Sequence, residues 1–224
     1  TGRHRNSTKR VSQPLRDCHS LALHLLTATR QSLLPLILLT QFLIRKIMAR
    51  FENKVVFLTG GATGIGRTTA LAFAREGARV AVCDVAEEAA KETVQQITDA
   101  GGKGMFVRAD VASAQDVETA VQLTIAEFGG LHIGINNAGI EGSRDKATHE
   151  YDEATFRRVI DINLTGVFLC MKAELQAMLG SKTQGAIVNT ASFLGHFGMP
   201  YHIAYVAAKH AVMGMTRAAA TEYS

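Results

Sequence analysis

The stretch YHIAYVAAK, residues 201–209, sets two phenols and one ammonium at helical spacing. Residues four apart share a helix face, so Tyr205 and Lys209 point the same way, whereas Tyr201 lies eight positions from the lysine. A free phenol ionises near pH 10 and is a poor base at neutrality. An ammonium about 5 Å away, at an effective dielectric of about 20, favours the phenolate by roughly 3 kcal/mol. The pair therefore suits proton transfer, with Tyr205 as the base. Tyr201, lacking the close cation, is expected to pack or to touch substrate.

A second group of residues fits phosphate chemistry. In TGGATGIG, residues 59–66, Gly60, Gly64 and Gly66 follow an apolar run and open a helical pattern. Glycines there permit positive φ and close backbone approach, and the helix start offers free N–H groups to a pyrophosphate. Asp84 ends the next apolar run, 18 residues after Gly66. An acid at that place accepts hydrogen bonds from an adenosine ribose and repels a 2′-phosphate. Neither Thr63 nor Val85 supplies a cation for that phosphate, so NAD is expected over NADP. The alternative is a strand-end aspartate that only caps the following helix.

The elements that must position these groups alternate. KVVFLT (54–59), RVAVCD (79–84), KGMFVR (103–108), LHIGIN (131–136) and GAIVNTA (185–191) read as strands. Helical spacing covers 65–77, 86–102, a segment near 113–128, one long helix near 152–179, and about 201–222, with Pro200 suited to the first turn of the last. The alternation predicts an α/β fold, a doubly wound parallel sheet of order 3-2-1-4-5 with a dinucleotide across the strands' C-terminal ends.

Charge divides the protein in two. Residues 1–47 carry eight Lys and Arg against Asp17, whereas residues 48–224 carry 16 against 19 acids. The second part has no nucleic-acid footprint. The first reads as a basic, disordered extension outside the folded domain, with a transit peptide or a membrane-surface anchor as alternatives. Its apolar run, 33–44, is too short for a membrane span of roughly 20 residues. Cys18, Cys83 and Cys170 form no C-x-x-C pair, which points to a reducing, cytoplasmic compartment. His196, His202 and His210 lack metal-ligand spacing, so no metal is expected.

Six motifs stand in one order: TGGATGIG, ADV (109–111), NNAG (136–139), DINLTG (161–166), IVNTASFLG (187–195) and YVAAK (205–209). With them, residues 48–224 resemble the classical short-chain dehydrogenase/reductase family. The resemblance implies reversible hydride transfer between a nicotinamide cofactor and a secondary alcohol or ketone. It implies that Ser192, 13 residues before Tyr205, orients the substrate oxygen and that Lys209 also holds the cofactor ribose. It implies that the Asn163 backbone holds a water between Lys209 and solvent. Cofactor contacts are implied at Gly60, Thr63, Gly64, Ile65, Gly66, Asp84, Asp110, Val111, Asn137, Ala138 and Gly139, besides Tyr205 and Lys209.

Read without the family, Asn163 is a helix-interior asparagine bonding locally and NNAG is a turn. His132 replaces a usual aspartate, with an effect expected on packing only. Family members continue past the position of Ser224 through a substrate loop and further strands. The sequence is therefore expected to be truncated at its C-terminal end, with an incomplete substrate side. The family also implies a homo-oligomer, a dimer or tetramer, when complete. An NADP-dependent 3-oxoacyl-type reductase and a non-catalytic dinucleotide-binding fragment are the rival readings.

Overall fold

A run such as Val55–Thr59 (β1) is buried at every position, which requires cover on both faces of its sheet. The computed structural model describes residues 49–223, and the expectations for residues 1–47, Cys18 included, lie outside them. β1 is joined in parallel by Arg79–Asp84 (β2), Lys103–Arg108 (β3), Ile133–Asn136 (β4) and Ala186–Asn189 (β5), in the expected order β3-β2-β1-β4-β5.

Side chains alternate between the two sheet faces. Val56, Leu58, Val80 and Val82 meet Gly64–Arg75 (α1) and Glu87–Asp99 (α2) through Ala70, Ala74, Ala90 and Ile97. Val55, Phe57, Ala81 and Cys83 meet Ala114–Phe128 (α3) and the helix Gly166–Gly180 (α5) through Val117, Val121, Cys170 and Ala173. Ser113 caps α3 by accepting from Asp116 N, and Gly129, at φ 84°, ends it in the left-handed conformation.

Three expectations are corrected. The long helix near 152–179 is broken into Glu153–Ile160 (α4), a π-helical turn Asp161–Thr165, and α5. The Gly166 N–H reaches back five residues to Asp161 O, and there Gly166 is pressed so closely on Val111 that a Cβ would come within 2.8 Å of Val111 Cγ2. β4 ends at Asn136 as read but begins only at Ile133, and β5 stops at Asn189, two residues early, where the Asn189 side chain accepts from Asn136 across the sheet. The last helix, Ile203–Tyr223 (α6), starts beyond Pro200. Pro200 and Tyr201 instead fill a turn in which His202 N donates to Met199 O at 3.3 Å.

His132 does more than pack. Its Nδ1 accepts from Val55 N at 3.2 Å, tying the start of β1 to the segment entering β4. That bond needs the neutral imidazole, and burial, with Lys54 and Arg79 nearby, holds the His132 pKa below the usual range.

The C-terminal ends of β1 and β4 are joined by Thr59, whose buried Oγ1 accepts from Asn137 N at 3.1 Å and Ala138 N at 3.2 Å. Thr59→Val keeps the shape and removes this acceptor. It should cost about 1–3 kcal/mol, read as a lower midpoint in urea with an unchanged slope.

Candidate active site

The glycine loop is shaped by contacts that leave no room for side chains. Gly60 and Gly64 have φ of 67° and 54°. A methyl on Gly66 would overlap the Gly60 carbonyl oxygen. The loop is also held from outside. Arg67 Nε donates to Ala62 O at 2.8 Å and its guanidinium to Ala89 O at 2.8 Å, while Thr93 Oγ1 lies 3.0 Å from Gly61 O. These supports come from α1 and α2, and the motif reading did not single them out.

The loop forms one wall of a cavity of about 380 Å³ at the C-terminal ends of the strands. Gly60, Thr63, Gly64, Ile65, Gly66, Asp84, Asp110, Val111, Asn137, Ala138 and Gly139 all line it. Every cofactor contact implied by the resemblance, Tyr205 and Lys209 apart, is therefore brought to one cleft. The exposed N–H groups opening α1, and space with nothing within 4 Å of a Cβ on Gly64, fit a pyrophosphate. A larger cavity, about 590 Å³, lies between α5 and α6 beside β5. Met171, Leu175, Met178 and Ile187 are among its lining residues. It is mostly apolar and shares no lining residue with the first.

Several side chains already have protein partners. Asp84 accepts from Ala62 N at 2.9 Å and from Ala86 N at 3.0 Å, so it braces the glycine loop and also makes the local bond of the capping alternative. Asp110 accepts from Ala112 N at 3.0 Å and pairs with Arg158 at 3.0 Å. The Asn137 amide donates to Thr59 O and Gly60 O, which makes it a strut of the loop.

Lys209 is only 3% exposed. Its Nζ donates to Thr190 O at 2.6 Å and lies 5.5 Å from the centre of the Tyr205 ring. Burial holds the Lys209 pKa below the usual lysine range. Gly139 joins this pair to the cleft, since a Cβ there would lie 3.2 Å from Asn163 Oδ1 and 3.8 Å from Lys209 Nζ. Asn163 is fully buried in the π turn, and its amide exchanges two bonds with the Ile140 backbone, at 2.8 and 2.7 Å. The local-bonding alternative for Asn163 is thus replaced by a contact 23 residues away in sequence.

Ser192 caps the short turn Phe193–Gly195, accepting from Leu194 N at 3.2 Å. Its hydroxyl hydrogen stays free to donate. Tyr201, at φ 64° and half exposed, holds a conformation that glycine usually takes in such a turn. His202 and His210 direct Nδ1 to Pro200 O and Val206 O. Among the described residues no three His, Cys, Asp or Glu side chains gather as a metal-ligand set, and no helix is long and apolar enough to cross a membrane.

Residues 54–224 match the family model described as short chain dehydrogenase. The protein belongs to the short-chain dehydrogenase family. It is 45% identical over 182 residues to cyclohexanol dehydrogenase of Acinetobacter sp., covering 81% of this sequence and 72% of that protein. It is 40% identical over 178 residues to a 3beta-hydroxysteroid dehydrogenase of Mediterraneibacter gnavus, covering 80% and 63%. Among solved structures, levodione reductase aligns with a TM-score of 0.75 at 39% identity, over 78% of this protein and 67% of that one. NAD+-bound xylitol dehydrogenase aligns with a TM-score of 0.75 at 34% identity, over 77% and 66%. The family places the protein among oxidoreductases that act on CH–OH groups with a nicotinamide cofactor.

Gly66→Ala should displace the loop by its clash with Gly60 O. Dinucleotide affinity should fall by about tenfold or more, since about 1.4 kcal/mol of lost contact is already tenfold. Far-ultraviolet circular dichroism should be unchanged. Titration calorimetry checks the first and the dichroism spectrum the second.

Proposed function

We propose that the protein oxidises and forms apolar secondary alcohols with NAD, using Tyr205 as the proton-transfer group. The observation that carries this reading is the buried Lys209 ammonium, 5.5 Å from the Tyr205 ring, at the Gly139 end of a glycine-walled cleft. In the oxidative direction the Tyr205 phenolate removes the alcohol proton. Lys209 favours the phenolate by its charge and has further N–H groups beside the one given to Thr190 O, which suit ribose hydroxyls. Ser192 donates to the substrate oxygen and fixes its position. The nicotinamide, when bound, accepts or returns the hydride. The Asn163 backbone is assigned to order a water between Lys209 and solvent.

NAD is favoured over NADP by Asp84, which lines the cleft without a neighbouring cation at Thr63 or Val85. An apolar substrate is favoured by the surface between Ser192 and Tyr205. Phe193, Phe197, Met199, Tyr201 and Ile203 are all exposed there, and a cluster of exposed apolar side chains marks a binding surface. The substrate is a small molecule, and similar proteins named for cyclohexanol and a hydroxysteroid are consistent with a ring-bearing alcohol. Residues 48–224 are assigned as the dinucleotide-binding domain. The exposed Phe168 and Leu179 on α5 suit a homo-oligomeric contact, and the buried thiols of Cys83 and Cys170, unpaired among the described residues, suit a reducing cytoplasm.

Tyr205→Phe should lower kcat by at least about a hundredfold, the scale of general acid–base catalysis, while NAD affinity is retained; Tyr201→Phe should lose far less. A dead Tyr201→Phe beside an active Tyr205→Phe would refute the assignment.

Asp84→Ala should narrow the preference for NAD over NADP. Dissociation constants for both nucleotides, in wild type and variant, check it, and equal wild-type affinities would refute the cofactor choice.

A further inference from the structure

The proton-transfer scheme leaves one buried acid unused. Glu174, on α5, is fully buried beneath β4. A methyl on Gly134 would overlap its carboxyl group, so that glycine provides its space. Asn136 Nδ2 donates to Glu174 Oε2 at 3.0 Å and to Asn189 Oδ1 at 2.9 Å. The Asn136 amide of β4 donates to the carboxyl, and the titratable groups near enough to feel its charge are the Cys83 thiol of β2 and the Cys170 thiol of α5. None carries positive charge, and among the described residues no cation is within ion-pair distance of it.

Among the described residues, two buried side-chain atoms are without a hydrogen-bond partner: Glu174 Oε1 and Asn136 Oδ1. Both are acceptors if the acid is ionised. They belong to two groups already joined through Nδ2 and Oε2. One proton on Oε1 turns the orphan pair into a donor and an acceptor. Acid and amide can then close as a two-point pair, while the other Asn136 N–H remains on Asn189.

From Asn136 the connections run to the site. Asn136 O accepts from Thr190 N at 2.9 Å, and Thr190 O accepts from Lys209 Nζ at 2.6 Å. Asn189 Nδ2 donates to Thr216 Oγ1 at 2.9 Å, on α6 two turns beyond Lys209. We infer that Glu174 is a positioning residue that acts as a neutral acid, locking the Asn136 amide and thereby the ends of β4 and β5 that hold Lys209. Its effect on Lys209 rests on the proposed role of that lysine; its neutral state does not.

Burial raises the Glu174 pKa from the ordinary 4.5 to about 8, opposed only by the Asn136 bond. The folded protein thus keeps a proton that the unfolded protein releases. Stability attributable to Glu174 therefore falls as pH rises from about 5 to about 8 and is level above that. Glutamine imitates the neutral acid, with Nε2 as the donor to Asn136 Oδ1. Relative to wild type, Glu174→Gln should be matched in melting temperature near pH 5 and increasingly more stable toward about pH 8. An infrared band of a protonated carboxyl should be present in wild type near neutrality and absent in Glu174→Gln. Parallel melting curves across this pH range, or no such band, would overturn the neutral acid.

The positioning role is read from NADH dissociation constants between about pH 6 and pH 9, measured by fluorescence. Wild-type affinity should weaken relative to Glu174→Gln as the acid ionises, by about threefold or more, the worth of one hydrogen bond. An unchanged ratio would overturn the positioning role while leaving the melting comparison to decide the protonation. Inactivity of wild type on every alcohol would refute the proposed reaction without touching either result.

Discussion

A cation buried without a carboxylate is costly unless its N–H groups are satisfied and its position is fixed. Lys209 is such a cation, and much of the surrounding structure accommodates it. Thr190 O supplies an acceptor. Gly139 leaves the space that a side chain would take. Burial makes the ammonium less stable than in water, and it also strengthens its field at the neighbouring Tyr205 ring, because less water screens the pair. The cost of burying the charge and its proposed use in proton transfer have one physical origin.

The strand ends around it follow a common plan. Parallel strands leave backbone groups pointing from their C-terminal edge, and the connecting loops must be anchored there. Polar side chains of this protein perform that anchoring. Thr59 ties the NNAG segment to β1, Asn137 ties it to the glycine loop, and Asp84 ties the loop to β2. Arg67 and Thr93 support the loop from the helices behind it. The cleft is thus shaped before a ligand arrives, so less ordering cost falls on binding. The π turn has a related role. By widening one turn at Asp161–Thr165 it places Asn163 where its amide meets the Ile140 backbone.

Much was legible in the sequence because local physics carries it. Apolar runs such as VVFLT need a doubly covered sheet, and their alternation with helical spacing fixes parallel order. The glycine pattern marked the loop that walls the cleft, and the four-residue interval joined Tyr205 to Lys209 without any coordinates. The family resemblance singled out Ser192 and Asn163 for the roles proposed above, which spacing alone would have left as a loop serine and a locally bonded asparagine.

Other features were decided only by the tertiary structure, since their partners are distant in sequence. The Val55–His132 bond spans 77 residues, Thr59–Asn137 spans 78, and Asn136–Glu174 spans 38. Nothing in the helical pattern of GVFLCMKAELQAMLG marks Glu174 as fully buried, because a glutamate there reads as a solvated face. Its burial depends on Gly134 in a different strand leaving room. The break at Asp161 likewise coincides with Gly166 meeting Val111, 55 residues away in sequence. Periodicity reports which face of an element is apolar; it carries no record of what that face meets, and these contacts are set by what the packed elements meet.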